Sequence, residues 1–312
     1  MVRIDGILER EYPKIKRMSL RTFLRAAYWM FRPRLGWPFG RTPIKVQDYL
    51  RFYQWLTLRT AEELKKNPER PIIIVLGGIA ATGKSTHAKR LQQLFEDIFK
   101  EAGVSVTRVE LDWYFLPRIK IKSKTSKGKI IEKSFIGKNV RITESGKIVG
   151  GRVIDGEYDN PAASDLKKAA MDLQMLKQGK VVTIRRRDVT TGKIEEIKIT
   201  PRKRQIIIIE GLYSLYPPLT KHADIRIGLM GRLGMQMGIR YQRDTAPVKT
   251  GGRGRDPTEV ARKFVEREPY QRMFVVKGTL KNAELIFDVP SLKTAEQIDT
   301  WATAAPSTRQ YN

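Results

Sequence analysis

Eight consecutive residues, Gly78-Ile79-Ala80-Ala81-Thr82-Gly83-Lys84-Ser85, have the types and spacing to cradle a string of phosphates. Glycines let backbone N–H groups curl around the anion, and a helix opening at Lys84 adds the partial positive charge of its N-terminus. In that geometry Lys84 reaches the β and γ phosphates, the Ser85 hydroxyl is an oxygen ligand for Mg²⁺, and Thr86 stands on the same first turn. The apolar run Ile72-Ile73-Ile74-Val75-Leu76 before the loop and a helical pattern after it supply the context the motif needs. The ligand this implies is a nucleoside triphosphate such as ATP, bound with Mg²⁺.

Two carboxylates are placed to work beside such a ligand. The run Val106-Thr107-Arg108-Val109-Glu110-Leu111-Asp112 reads as a strand ending in an acid, and ligands of open parallel sheets sit beyond the strands' carboxyl ends. Asp112 is thus the candidate base, with Glu110 a weaker rival deeper in the sheet. Four isoleucines, 206–209, run into Glu210, whose hard oxygens suit Mg²⁺ and its waters. Arg240, Arg243, Asp244, Arg253 and Arg255 form a dense patch interrupted by glycines, the composition of a lid that closes guanidinium groups over phosphates.

The chain as a whole is 312 residues long, with 60 Lys and Arg against 33 Asp and Glu, a formal charge of +27. That excess predicts attraction to phosphate on a nucleotide, a nucleic acid or an anionic membrane surface without choosing among them. No cysteine is present, so disulfides and thiolate chemistry are excluded; two histidines make a His-rich metal site improbable. The expected compartment is cytoplasmic. No run of about 18 apolar residues occurs, so no membrane span is expected. An Asn-Lys-x-Asp guanine reader is missing, which argues against a signalling GTPase, and the single acid after the 206–209 run argues against a mechanical ATPase.

Strand and helix patterns alternate from residue 71: strands at 72–76, 105–111, 205–210, 224–229 and 283–288, helices at 84–102, 163–178, 233–243 and 257–274. This predicts an α/β fold with a parallel sheet covered by helices on both faces. Residues 1–70 read as a basic helical extension, with one helix near Leu20–Phe31 and another over about 45–66. Lys-rich 117–155 and the hairpin pattern of 181–200 read as β insertions over the carboxyl edge of the sheet. Residues 71–302 form the expected catalytic domain, with the lid at about 231–275 and a tail from 303 to 312.

Taken together, GGIAATGKST, LDWYF, YDNP, EGLY and the RD and RGRDP of the lid resemble the uridine kinase and phosphoribulokinase family of P-loop kinases. The resemblance spans about 71–290 and implies a P-loop NTPase fold. It assigns Asp112 as catalytic base, Glu210 as an aid to Mg²⁺, and Lys84, Arg243 and Arg253 as phosphate contacts. It implies that Asp159 and Arg255 hold vicinal hydroxyls of the acceptor, and it sets Tyr114, Tyr158 and Arg240 on the acceptor side. Where the family presents a Tyr and a His from the hairpin and a Gln from the lid helix, this chain has Arg187, Gly192 and Lys263. Asn160 stands where the family has a His.

The expected activity is therefore Mg·ATP-dependent transfer of the γ-phosphoryl group to a nucleoside hydroxyl of the uridine or cytidine type, giving the 5′-monophosphate. The same chemistry on another sugar, polyol or sugar phosphate, or on the 5′-hydroxyl of a nucleic acid, stays open, as does homo-oligomer formation. A non-enzymatic alternative is a basic protein that binds RNA or a membrane surface through its aromatic and arginine-rich N-terminal segment.

Overall fold

The computed structural model describes residues 44–46, 49–124, 130–153, 159–187, 194–248 and 252–289. Expectations for residues 1–43, for Tyr158, for the 188–193 turn with Gly192 and for the tail lie outside the described residues, as does the Arg187 side chain. In chain order come β1 (Ile44–Val46), α1 (Tyr49–Lys66), β2 (Ile72–Gly78), α2 (Lys84–Ile98) and β3 (Ser105–Glu110). The strands β4 (Arg118–Lys124), β5 (Ile130–Ile136), β6 (Arg141–Ile142), β7 (Ile148–Val149) and β8 (Arg152–Val153) follow. Then come α3 (Leu166–Lys177), β9 (Val182–Arg187), β10 (Ile194–Ile199), β11 (Gln205–Gly211) and α4 (Pro217–Thr220). After these stand β12 (Ile225–Gly231), α5 (Leu233–Thr245), α6 (Pro257–Gln271) and β13 (Leu285–Val289).

Six strands form one sheet in the order β1-β13-β12-β2-β11-β3, and every neighbouring pair is parallel. Every residue of β2 and β11 is buried, which is why both read as continuous β-branched runs instead of alternating ones. Successive side chains still go to opposite faces. Ile73, Val75, Ile207 and Ile209 join the core under α3 and β9, whereas Ile74, Leu76, Ile206 and Ile208 join that under α1 and α2. Helices thus cover both faces, as the alternating pattern predicts.

The N-terminal part departs from its expected reading. Residues 44–46 are a strand pairing with β13, not the start of a helix, because three residues are too few to show a period. The helix begins at Tyr49, and its Phe52, Trp55 and Leu56 are buried against Leu91, Phe95 and Phe287. Residues 44–66 are therefore built into the core rather than appended to it.

The insertions are β structure, as expected. β4, β5 and β8 make a three-stranded antiparallel sheet, β6 and β7 a small ribbon, and β9 and β10 an antiparallel hairpin. The first is anchored where Ile136, 1% exposed, packs with Ala163, Leu116 and Ala162. β9 lies against the short 3₁₀ turn Leu111–Tyr114 that follows β3. Three adjacent strands, β2, β11 and β3, thus deliver the phosphate loop, Glu210 and Asp112 to one end of the sheet, with Glu210 in register with Leu76 and Glu110.

Candidate active site

The phosphate loop leaves β2 at Gly78, whose φ of 152° lies in a region that L side chains rarely adopt; a Cβ there would fall 2.3 Å from the Leu229 carbonyl oxygen. Gly83, with φ of 75°, caps α2 with no side-chain cap, so the first-turn N–H groups of the helix have no side-chain acceptor and are open to an anion. Ala81 holds φ of 60°, an unusual conformation for alanine. The Thr82 hydroxyl and the Lys84 ammonium both donate to the Ile79 carbonyl, at 2.8 and 2.7 Å. Thr82, expected as a phosphate contact, has its side chain buried at 1% exposure; its backbone N–H is what it can offer a ligand. Ala80 is half-buried, whereas Ser85 and Thr86 are exposed at the helix start.

Burial lowers the Lys84 pKa, and the charges of Glu210 and Asp112 oppose that fall. Glu210 is 5% exposed; burial raises its carboxyl, while the Ser85 hydroxyl hydrogen bond and Lys84 pull it down. The Ser85–Glu210 pair sets a hydroxyl and a carboxylate side by side at the helix start, a hard-oxygen pair that fits Mg²⁺ arriving with phosphates and its own waters. Among the described residues no three His, Cys, Asp or Glu side chains gather as a metal cage.

Asp112 sits on the 3₁₀ turn after β3, close to β11 because Gly211 has no side chain: a Cβ there would lie 2.4 Å from that of Leu111. Solvent reaches Asp112 in the cleft, yet the protein mass around it raises its carboxyl, against the pull of Lys84 and then, after the upward push of Glu110, of Arg253. The rival Glu110 is tied to Arg108 at 3.1 Å.

The arginine patch closes on a residue whose part sequence reasoning missed. Asp244, its side chain 1% exposed, is reached by Arg243 at 2.8 Å, Arg255 at 3.2 Å, Arg253 at 3.4 Å and Arg240 at 3.8 Å. Backbone bonds from Arg253 and Arg255 to the carbonyls of Arg243 and Asp244 lock the two segments together. Against the upward push of burial, the Arg243 hydrogen bond and the surrounding guanidinium charges hold the Asp244 carboxyl below its ordinary value. Four cations thus share this anion, and Arg253 also feels the charge of Asp112. The signal available in the sequence was that Asp244 is the acid enclosed by those arginines.

Other expected site residues divide. Asp159 is 7% exposed, with Arg267 at 3.3 Å and the Gln271 amide at 3.0 Å, and its charge acts on Lys84, Asp112 and Arg240. Tyr114 does not face the cleft: the 3₁₀ turn rotates it inward, and its hydroxyl donates to Asp172 at 3.0 Å, with Lys168 on the same carboxylate. Lys263 is paired with Glu259 one turn earlier on α6. Of the hairpin arginines, Arg185 meets exposed Glu196 at 3.2 Å, whereas Arg186 lies 5.7 Å above the ring of Trp113, beside Asp112. Gln271 and Arg267 lie in no motif, and Trp113 stands within LDWYF without a role assigned to it.

The phosphoribulokinase/uridine kinase family model matches residues 73–295. Among solved structures, the fold is similar to a Silicibacter sp. TM1040 protein provisionally assigned as a fructose transport system kinase, with TM-score 0.50, 18% identity, and coverage of 75% of this chain and 97% of that one. Phosphoribulokinase from Rhodobacter spheroides gives a TM-score of 0.44 at 18% identity, covering 72% of each chain. In sequence the chain is 27% identical over 138 residues to the Arabidopsis thaliana inorganic pyrophosphatase TTM1, 44% of this chain but 20% of that protein. The corresponding match to TTM2 from the same plant is 27% over 116 residues, 37% of this chain and 16% of that protein. The chain thus matches a fifth or less of the length of these curated relatives. With its P-loop, parallel sheet and family match over most of its length, the chain belongs to the phosphoribulokinase/uridine kinase family of kinases.

Proposed function

We propose that the protein transfers the γ-phosphoryl group of ATP to a hydroxyl of a small polyhydroxy acceptor, in the first instance a nucleoside, with a related sugar, polyol or sugar phosphate as the alternative acceptor. The observation that carries this reading is the place of Asp112, a carboxylate whose pKa feels Lys84 from the phosphate side and Arg253 from the lid side. A hydroxyl held there meets a base and a phosphate cradle together.

In this reading the N–H groups of residues 81–86 and the Lys84 ammonium hold the β and γ phosphates, the ammonium leaving the Ile79 carbonyl to do so, while the Ala80 N–H stays with Gln271. Ser85 and Glu210 would hold Mg²⁺, which when bound would neutralise phosphate charge. Asp159, Arg240 and Arg255 orient the acceptor. Asp112 takes the hydroxyl proton as the acceptor oxygen bonds to the γ-phosphorus and the bond to the β-γ bridging oxygen breaks, leaving ADP. Arg243 and Arg253 stabilise charge on the transferring group, and closure of the arginine segment excludes water as a competing acceptor.

The test is ADP release from Mg·ATP against nucleosides, ribose, polyols, sugar phosphates and a 5′-hydroxyl oligonucleotide. Release that depends on one small acceptor supports the reading. Phosphate release that is indifferent to every acceptor, or turnover of inorganic pyrophosphate alone, overturns it.

A further inference from the structure

Gln271 ends α6 and is 5% exposed. Its Oε1 accepts the Ala80 N–H of the phosphate loop at 2.9 Å, and its Nε2 donates to Asp159 Oδ1 at 3.0 Å. The neighbours fix the amide's orientation, because a backbone N–H only donates and an ionised carboxylate only accepts. Four residues earlier on the same helix, Arg267 reaches the other oxygen, Asp159 Oδ2, at 3.3 Å. One helical face thus grips both oxygens of the acceptor-side carboxylate while touching the nucleotide loop.

The helix is also built irregularly at this point. Pro269 removes a backbone donor two residues before Gln271, and a π-helical turn, Arg272–Lys277, starts immediately after it. π-helical turns occur frequently at functional sites. Neither the phosphate motif nor the arginine patch accounts for a buried amide that bridges the two halves of the site.

Resting on the kinase reading above, we propose that Gln271 is a positioning residue that ties Asp159 to the phosphate loop, so that acceptor orientation is set against the nucleotide site. It touches no reacting atom in this role. Its requirement is chemical: position 271 must accept from Ala80 and donate to Asp159 at the same time, which an amide does and a carboxylate does only when protonated.

That requirement gives the experiment, Gln271→Glu. An ionised Glu there sets two carboxylates against each other, with Arg267 on α6, Arg240 on α5, Lys84 at the loop, Asp112 on the turn after β3 and Tyr213 after β11 as the other titratable or charged groups around Asp159. Protonated, it restores both hydrogen bonds. The ratio of variant to wild-type kcat/KM for the acceptor should rise as pH falls from about 8 to 6, by up to about tenfold per pH unit. In Gln271→Met, which loses both bonds, the ratio should stay low at every pH, with the loss greater in acceptor KM than in ATP KM.

A flat ratio for Gln271→Glu, or equal changes in both KM values for Gln271→Met, overturns the proposal. If wild type phosphorylates no acceptor, the kinase reading fails, and the tie is then decided by melting temperature. Gln271→Glu should lose stability relative to wild type as pH rises if the Asp159 contact is real, and a pH-independent difference overturns it.

Discussion

The Tyr53 hydroxyl of α1 lies 2.8 Å from Nδ1 of His87, one turn beyond Lys84 and Ser85 in α2. The His87 ring is 3% exposed and flanked by Tyr49, Phe52 and Phe287, with Nδ1 hydrogen-bonded to the Tyr53 hydroxyl. An aromatic box thus joins α1 to α2, the helix that opens at the end of the phosphate-loop motif. Burial first, and the charge of Arg90 second, push the His87 pKa down to about 3.

A pH dependence of stability follows from that shift. In the unfolded chain the imidazole takes a proton near pH 6.5, while folded it resists until about pH 3. Below pH 6.5 the unfolded state binds the additional proton, so stability is present above the unfolded value and is lost as pH falls, by about 1.4 kcal/mol per pH unit for this group. Denaturant unfolding at pH 7 and pH 5 should show a steeper loss in wild type than in His87→Leu. Parallel losses in the two proteins would mean that His87 is not held neutral.

Asp244 carries the lid cluster, so Asp244→Asn should release four mutually repelling guanidinium groups. Breaking a buried pair costs about 3–5 kcal/mol. Arg243, Arg253 and Arg255 are 44%, 46% and 38% exposed, and water therefore takes up part of the loss. The expected cost is about 1–3 kcal/mol, discounted for that screening. ATP KM should rise along with it. A variant with wild-type melting and wild-type ATP KM would show that the arginines are placed by something else.

The parts of this molecule legible in its sequence are those specified by neighbours along the chain. Gly78 to Ser85 and the β-branched runs of β2 and β11 each carry their own signal, and strands ending in Glu210 and near Asp112 reach one edge because parallel strands share a direction. Asp244 is visible within the patch, but its role is not, because that role depends on arginines from two segments meeting around it. Gln271 was hidden because an amide at a helix end resembles any other until Ala80 and Asp159 are set on either side. Tyr114 is set on the acceptor side by the resemblance alone, which matches residue types in LDWYF and does not show that the 3₁₀ turn after Glu110 sends this side chain inward.

The inward turn of Tyr114 separates two roles that sequence reasoning merges. Its hydroxyl serves Asp172 within the core, and burial pushes its own pKa up. Tyr114→Phe leaves Asp172 with Lys168 as partner, so the expected cost is about 1.5–2 kcal/mol, at the low end for a hydrogen bond to a charged group. Acceptor KM should stay at the wild-type value. A raised KM with unchanged stability would return Tyr114 to the cleft.

Asp112 gives the sharpest kinetic expectation. The protein packed around Asp112 raises its carboxyl from the ordinary aspartate value even though solvent reaches it, and only the ionised form takes the hydroxyl proton. Turnover should therefore fall as pH drops through that raised value, giving an acid limb above the ordinary aspartate pKa of about 3.9. In Asp112→Asn, turnover should drop by about 10²–10⁴, the usual worth of a positioned base, while ATP KM changes little because Lys84 and the loop N–H groups hold the phosphates. Wild-type turnover in that variant would remove Asp112 from the chemistry. A loss confined to ATP KM would place it with the phosphate contacts instead of with the acceptor.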